Sequence, residues 1–416
     1  MRQSSDPVQE RPARPLPTER PEGCPFDPPG ELATLREEDP VSPMLYPDGH
    51  IGWLVTEHAL TRQVLADARF GARADLVHSP LPRAGAGGSV RNPAPPGVFS
   101  QMDPPQHTRY RRLLAGQFTV RRMRLLADNV REITAGRLDA MERQGPVVDL
   151  VEQYALPIPS LVICELLGVP YEDRDRFQHD TEVLMRMDTS REETIAAFVA
   201  VQEHMAELVA AKRAEPADDL LSDLVNGDGG LTDEELINVG GVLLAAGFET
   251  TANMIALGAF ALLRHPDQLA VLRDGPGITE LGHADPIVEE LLRYLSVIPG
   301  TVRVAMEDVV LGGQEIKAGQ SVTVSIPAAN RDPEQFPDPD RLDFGRPVGG
   351  HVAFGHGIHQ CLGQQLARVE MQIALPALFE RFPGLRLAVP PEEVPMRTDM
   401  LIYGVHRLPV TWEPVA

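Results

Sequence analysis

The sequence is poor in cysteine and short of positive charge. Its three cysteines, Cys24, Cys164 and Cys361, are scattered along 416 residues. An odd, dispersed set does not make a disulfide framework, so we expect a reducing compartment, the cytoplasm. Lysine and arginine number 38 against 60 aspartates and glutamates, a net charge of −22. This acidity argues against a protein that binds nucleic acid or an anionic membrane surface.

The sequence also lacks a long apolar run without polar interruption. Residues 239–263 are long enough to span a bilayer, but Glu249 and Thr250 lie at their middle. Because a carboxylate at mid-bilayer is costly, we predict a buried core helix and no membrane span. Residues 1–22 have no apolar signal segment and are rich in proline and charge, which predicts a mobile leader followed by one domain over 23–416.

Helical patterns dominate the remaining chain. From 106 to about 264 the pattern is helical with short breaks, and Thr232 with Glu235 forms a capping box at the start of a long last helix. Alternating residues predict strands at 43–56 and 301–326 and in the tail from 385. Residues 78–105 form a long Gly/Pro-rich loop, and loops of this length are typically functional or disordered. We therefore predict a mainly α protein with minor β.

One stretch combines residues that can carry chemistry: FGHGIHQCLG, residues 354–363. Cys361 precedes a helix, where a thiolate is stabilised by backbone N–H groups, and the glycines allow a large flat group to approach the backbone. Two other interpretations stay open at this point. The cysteine could be an inert residue in a turn, or a zinc ligand with His351, His356 and His359, although the spacing is not that of a structural zinc site.

The whole stretch resembles the haem-binding loop of the cytochrome P450 family, F-G-x-G-x-H-x-C-x-G. Three other motifs of that family follow in the right order. Glu290 and Arg293 match its Glu-x-x-Arg pair, Arg341 matches the third partner of that ion cluster, and Ala246–Thr251 match the Ala-Gly-x-Glu-Thr-Thr motif of its long central helix. The resemblance covers residues 22–413.

The resemblance implies the family's triangular prism of helices, with small sheets near the termini, and haem b with Cys361 as its axial thiolate. Seven further residues would surround the haem, three beside the porphyrin and four on its propionates: Phe354, Gly355, Gly363, His107, Arg111, Arg303 and His359. In the family an acid and a neighbouring threonine route protons to bound oxygen, which here would be Glu249 and Thr250, with Ala246 and Gly247 leaving space for the oxygen.

The same resemblance implies an O₂-dependent monooxygenase that oxidises a bulky polyketide-derived product of macrolide, polyene or tetramic-acid type. Its substrate pocket would be lined by the residues Val98, Phe99, Gln101, Leu243, Leu244, Ala246, Leu295, Val297, Ile298, Met400 and Leu401. Electrons would come from a ferredoxin and an NAD(P)H-dependent reductase, since the chain has no flavin or iron–sulfur motif. The basic stretch 107–124, which contains no acid, would dock the ferredoxin on a monomeric enzyme.

Two alternatives stay open. One is a peroxide-dependent peroxygenase on the same fold, and the other is a haem-binding sensor or carrier without turnover. The intact Glu249–Thr250 pair favours the monooxygenase, because neither alternative needs proton delivery.

Overall fold

A computed structural model of the chain describes residues 12–82, 91–170, 173–274, 285–347 and 349–412. Helices account for most of them. The helices are α1 (Gly30–Glu38), α2 (His58–Ala66), α3 (Gln106–Ala115), α4 (Val120–Gln144), α5 (Pro157–Leu167), α6 (Arg174–Met185), α7 (Arg191–Ala214), α8 (Leu220–Asn226), α9 (Asp233–Arg264), α10 (Pro266–Asp274), α11 (Pro286–Leu295), α12 (Ile326–Asn330) and α13 (Gln364–Arg381). The predicted class, mainly α with minor β, is confirmed.

The strands are short and form three small sheets. They are β1 (Val41–Leu45), β2 (Ile51–Val55), β3 (Phe70–Gly71), β4 (Val147–Asp149), β5 (Gly300–Ala305), β6 (Val309–Leu311), β7 (Gln314–Ile316), β8 (Ser321–Ser325), β9 (Arg386–Leu387) and β10 (Pro409–Thr411). The largest sheet has the order β1-β2-β8-β5-β3, in which only β2 and β8 are parallel. The other sheets are β4-β10-β9 and the hairpin β6-β7.

Helix α9 is the central element of the fold. Its first turn closes with the predicted capping box, in which the Thr232 hydroxyl accepts from the Glu235 N–H and the Glu235 carboxylate accepts from the Thr232 N–H. Every residue from Ala252 to Leu262 is buried, because α5, α7 and α13 pack around the helix. By length and composition α7 and α9 are apolar enough to cross a membrane, but 72% of the most apolar window of α9 is buried inside the protein. A helix that is apolar all round and covered by other helices is a core helix.

The N-terminal segment differs from the predicted mobile leader. Residues 1–11 lie outside the described part of the chain, but residues 12–22 lie against the fold. The N–H of Leu45 in β1 donates to the Arg14 carbonyl at 2.9 Å. The Arg20 guanidinium lies 3.5 Å from the centre of the Tyr403 ring. The proline-rich composition suggested mobility, but an extended segment without internal hydrogen bonds can use its backbone groups and arginines to bind the surface instead.

Candidate active site

A cavity of about 410 Å³ lies between α9 and the loop that carries Cys361. Helices α3, α5, α11 and α13, strand β5 and the short turn Phe99–Gln101 contribute further lining residues. Most of the lining is apolar, and its basic side chains come from α3, β5 and the Cys361 loop. Chemistry in this cavity would take place in a mostly apolar environment, where hydrogen bonds and charge interactions are stronger than they are in water.

The Cys361 loop is shaped by two glycines in the left-handed region. Gly355 has φ 69° and Gly357 has φ 74°, which side chains other than glycine rarely adopt. A Cβ at Gly357 would also clash with the carbonyl oxygen of Leu65 at the end of α2. The N–H of Cys361 donates to the carbonyl of Phe354 at 2.8 Å and closes the loop. The thiol is therefore fixed by backbone geometry.

The side chain of Cys361 opens onto the cavity, although it lies deep inside the protein. Burial raises the pKa of its thiol, whereas the backbone N–H groups of Gly363 and Gln364 and the positive charges of Arg111 and Arg368 act in the opposite direction. A bound metal cation would also lower the pKa of the thiol, because thiolates ligate metals in the deprotonated form. The arrangement is that of a metal ligand and not of a packed core cysteine.

All four predicted propionate residues line one part of this cavity: His107, Arg111, Arg303 and His359. The rings of His107 and His359 have centroids 4.2 Å apart. Burial, and then repulsion from Arg303, His107 and Arg111, lowers the pKa of His359 to about 3. Burial lowers the pKa of Arg303 to about 10. Four basic side chains therefore lie close together with few carboxylates near them.

Two buried imidazole nitrogens in this group, His107 Nδ1 and His359 Nε2, have no hydrogen-bond partner among the described residues. Buried polar atoms in native proteins are normally paired, so both indicate a missing ligand. The two carboxylates of haem would supply acceptors and negative charge. A Cβ at Gly355 or Gly363 would meet no protein atom within 4 Å, which leaves clearance on the cavity side of the loop. The residues therefore fit haem.

Helix α9 presents Ala246, Gly247 and Thr250 to the cavity, as predicted. The Thr250 hydroxyl donates to the Ala246 carbonyl at 3.0 Å, so in this state it is bonded back to its own helix. Gly247 also has a packing reason for lacking a side chain. A Cβ there would approach Cγ1 of Ile163 to 2.7 Å, so the glycine lets α5 pack closely against α9.

Glu249 does not line the cavity. It is 2% exposed, and its carboxylate forms an ion pair at 3.0 Å with Arg397, which comes from the C-terminal segment. Asn253 donates to the Glu249 carbonyl at 2.7 Å. Burial raises the pKa of Glu249, and the charge of Arg397 opposes the rise. The structure thus places the acid and Thr250 next to each other in sequence but on different faces of α9.

The eleven residues predicted for the substrate pocket divide into two groups by their position. Five of the residues line the cavity: Phe99, Leu243, Ala246, Val297 and Ile298. Six do not line it in the described structure: Val98, Gln101, Leu244, Leu295, Met400 and Leu401. Leu244 and Leu295 are core residues, because neighbouring positions on a helix point about 100° apart. Gln101 is exposed, and the Met400 side chain is buried in the C-terminal segment, where its backbone bridges to Arg186.

Two of the lining residues that the sequence analysis missed matter for the shape and chemistry of the site. Ile163 of α5 lines the cavity opposite Gly247. Glu370 of α13 also lines it, is 1% exposed, and has its Oε2 atom unpaired among the described residues. Burial raises the pKa of Glu370 well above its ordinary value, because a charged carboxylate is poorly solvated there. The only signal in the sequence was a lone acid in the apolar run VEMQIAL.

The ion cluster below the site has a different third member from the one predicted. Arg293 donates to both oxygens of Glu290, at 2.7 and 2.8 Å. The third side chain is Arg346, whose Nε lies 3.2 Å from Glu290 Oε1. Arg341 contributes only its backbone carbonyl, which accepts from Arg293 at 3.2 Å, and its side chain is exposed. Both arginines lie in the same coil, and the turn at Asp338–Arg341 directs the carbonyl inward.

The zinc alternative requires several ligands around one point. Within the described part of the chain, no three His, Cys, Asp or Glu side chains come together as a metal site. His351 instead lies against Glu289, at 2.9 Å. His351 is therefore bound to Glu289, whereas His359 lies against the ring of His107.

Comparison with known proteins agrees with this geometry. The model of the family "Cytochrome P450" matches residues 177–411. Cytochrome P450 105C1 from a Streptomyces species is 51% identical over 388 residues, which are 93% of this chain and 96% of the relative. Pentalenic acid synthase from Streptomyces avermitilis is 45% identical over 393 residues, 94% of this chain and 95% of the relative.

A solved structure extends the agreement to the fold. The crystal structure of CYP105P1 in complex with filipin I superposes with a TM-score of 0.89 at 44% identity, covering 97% of this chain and all of the other. The helical architecture, the cysteine loop and the basic residues of the cavity all lie within the matched length. The chain therefore belongs to the cytochrome P450 family, whose members are monooxygenases that bind haem through a cysteine thiolate.

Proposed function

We propose that this chain uses Cys361 as the haem thiolate and hydroxylates or epoxidises a bulky polyketide-derived natural product. The observation that carries the proposal is the cavity itself, in which Cys361, four basic residues and the Thr250 face of α9 meet. His107, Arg111, Arg303 and His359 would hold the propionates. When bound, haem supplies the oxidising chemistry with O₂ and two electrons, and the thiolate strengthens it by donating electron density to iron.

The protein's own part is positioning, exclusion of water and movement of protons. Apolar side chains of α5, α9 and the turn after α11 offer water few hydrogen-bond partners and would hold a substrate by shape. The Thr250 hydroxyl is the proton donor that lines the cavity, and Glu249 replenishes it from the interior. To do so the Glu249 carboxylate must leave Arg397 and turn toward the cavity. A buried acid whose pKa is raised toward neutrality is suited to this exchange.

Glu249 and Thr250 together form the proposed proton relay. Removal of either side chain is expected to uncouple the oxidation of NAD(P)H from the formation of product. In Thr250→Ala and Glu249→Gln we expect the rate of product formation to fall by about 10²-fold, which is typical of a lost acid–base group. Haem content should not change. The measurement is product formed per NAD(P)H oxidised. Thr250→Ser and Glu249→Asp keep the chemistry and should recover much of the yield, whereas full yield in Thr250→Ala would refute the relay.

The character of the cavity supports a neutral, largely apolar substrate. Beyond the four basic residues assigned to haem, its lining is dominated by aliphatic and aromatic side chains. The solved relative CYP105P1 carries filipin I, and another relative is named for pentalenic acid, so relatives of this chain act on secondary metabolites. We propose macrolide, polyene or tetramic-acid compounds as the substrate class, and antibiotic biosynthesis as the setting.

The test of the proposed function has two steps. The reduced protein with CO must show the absorption band of thiolate-ligated haem. A panel of such natural products is then screened for the spectral change caused by displacement of water from iron, and binders are incubated with a surrogate ferredoxin, its reductase and NAD(P)H. Product formation with O₂ supports the proposal. Turnover with peroxide alone would indicate a peroxygenase, and binding without turnover a sensor or carrier.

The electron donor is proposed to be a ferredoxin that docks on the basic surface of α3 and α4. The net positive charge of this surface is smaller than the sequence of residues 107–124 suggests. Arg109 forms an ion pair with Glu235, and Arg122 forms one with Asp223. Arg112 and Arg121 are exposed. We propose a soluble cytoplasmic monomer in which these two arginines meet an acidic partner.

Charge reversal at Arg112 and Arg121 is expected to slow reduction by ferredoxin by about tenfold at low salt, with a smaller effect at high salt. The spectral change on substrate binding should stay the same. Stopped-flow reduction with ferredoxin measures the rate. Arg143→Glu, at the far end of α4, is the matched control and should reduce at the parent rate. Equal slowing in the control would assign the effect to net charge and not to docking.

A further inference from the structure

A second buried ion cluster lies beside the Glu290–Arg293 pair and contacts the Cys361 loop directly. Its centre is Glu289 of α11, whose two carboxylate oxygens accept from Arg368 of α13, Nε at 2.6 Å and Nη2 at 3.0 Å. His351 Nε2 lies 2.9 Å from the same carboxylate. All three side chains are buried, so water screens the charges weakly.

The hydrogen bonds define the protonation of the cluster. The N–H of Ala353 donates to His351 Nδ1 at 3.2 Å, so the ring proton is on Nε2 and is donated to Glu289. Burial would raise the pKa of Glu289, but the hydrogen bonds from His351 and Arg368 outweigh it and lower the pKa to about 2. The cluster therefore holds one negative carboxylate, one positive guanidinium and one neutral imidazole.

Arg368 connects this cluster to the cysteine. Its guanidinium lies over the ring of Phe354, 4.6 Å from the ring centre. The carbonyl of the same phenylalanine accepts the N–H of Cys361 at 2.8 Å. Arg368 Nη1 also donates to Gln364 in the first turn of α13, at 3.1 Å to Oε1. One side chain thus touches α11, the loop before the cysteine and the helix after it.

The charge of Arg368 also reaches the sulfur. Arg368 is a cation in contact with Phe354 of the loop that holds Cys361, and the protein interior screens its charge only weakly. Glu289 neutralises that charge at close range. The field at the cysteine therefore depends on both members of the pair, and removal of one should act in the opposite sense to removal of the other.

We propose that Arg368, held in place by Glu289 and His351, is a positioning residue that sets the electron-donating strength of Cys361 and thereby the reduction potential of the haem. The proposal rests on the proposed role of Cys361 as the haem ligand. Reduction adds one negative charge at the metal. A nearby cation favours the reduced form and a nearby anion opposes it, so the balance between Arg368 and Glu289 controls the equilibrium.

The experiment measures haem reduction potentials by spectroelectrochemistry of the holoprotein. Arg368→Gln leaves Glu289 uncompensated and should lower the potential. Glu289→Gln leaves Arg368 uncompensated and should raise it. A unit charge roughly 10 Å away in a protein interior changes a one-electron equilibrium by about tenfold, which is about 59 mV. The double variant should return close to the parent value.

Arg381→Gln is the matched control. Arg381 lies on α13, the same helix as Arg368. The substitution removes its exposed ion pair with Asp139 of α4 and should leave the reduction potential unchanged. Shifts of the same sign in Arg368→Gln and Glu289→Gln, or no shift in either, would overturn the proposal, because a purely structural role moves both alike. If Arg368→Gln fails to retain haem, Glu289→Gln alone tests the proposal. An unchanged or lowered reduction potential in Glu289→Gln contradicts it.

The ferrous–CO spectrum of the parent protein separates this test from the proposed function. If the parent lacks the thiolate band, the role of Cys361 is wrong. If the parent shows the band and the potentials do not move in opposite directions, only the role of the Glu289–Arg368 pair is wrong.

Discussion

Replacement of Cys361 by alanine is expected to remove the thiolate band of the ferrous–CO spectrum and to abolish monooxygenase turnover, while the protein stays folded. The side chain opens onto the cavity and is absent from the buried hydrophobic clusters, so its truncation removes little packing. The backbone bond from Cys361 to Phe354 does not depend on the thiol. Circular dichroism should therefore match the parent, and the CO spectrum should not.

The two other cysteines provide matched controls for this result. Cys164 is buried in the core and Cys24 is half-buried, and neither lines the cavity. Burial raises the pKa of Cys164 to about 11, so it stays a neutral thiol. Cys164→Ala and Cys24→Ala should both retain the thiolate band. A band that survives in Cys361→Ala and disappears in either control would show that the ligand has been assigned to the wrong residue.

Replacement of Arg293 by alanine is expected to have the largest effect on stability. Arg293 is 2% exposed and Glu290 3%, and removal of one partner leaves the other charged and buried. The carbonyls of Asn330 and Pro339, each 2.8 Å from Arg293 Nη1, also lose their donor. Breaking a buried pair costs about 3–5 kcal/mol, a large part of the stability of an ordinary domain.

Chemical denaturation of the purified protein, followed by circular dichroism, measures this loss. Arg293→Lys keeps the charge but cannot form the bidentate contact with Glu290. Its stability should therefore lie between those of the parent protein and Arg293→Ala. Arg381→Ala removes an exposed arginine of α13 and should unfold at the parent midpoint. An Arg293→Ala protein as stable as the parent would mean that the cluster contributes nothing net to the fold.

The motif residues could be recognised in the sequence because each motif combines an unusual residue with a fixed spacing. Cys361, the four basic residues and the α9 motif all reach one cavity, although they lie far apart in sequence. The sequence did not predict side-chain direction. Leu243 faces the cavity and Leu244 the core, and Arg346 takes the place expected for Arg341. Such differences depend on how each helix is rotated about its axis and on how the coil that contains Arg341 and Arg346 folds, and neither is specified by composition or spacing.

The same limit explains the position of Glu249. Adjacent helical residues project about 100° apart, and in this structure Thr250 lines the cavity whereas Glu249 points into the interior beside Arg397. The partner that holds Glu249 is Arg397, almost 150 residues further along the chain. No local pattern connects the two positions. Likewise, only the packing of α5 reveals that Gly247 makes room for Ile163.

The group of four basic residues has a consequence for how the protein matures. Without two carboxylates beside them, the guanidinium groups of Arg111 and Arg303 carry positive charge into a largely apolar cavity, and the rings of His107 and His359 each have one nitrogen without a partner among the described residues. Cofactor binding would supply negative charge and hydrogen-bond acceptors, and it stabilises the folded state by mass action, by about 2.7 kcal/mol at a free cofactor concentration 100 times its dissociation constant. The chain should therefore be more sensitive to heat and proteolysis when haem is scarce, and its abundance in the cell should follow the supply of haem.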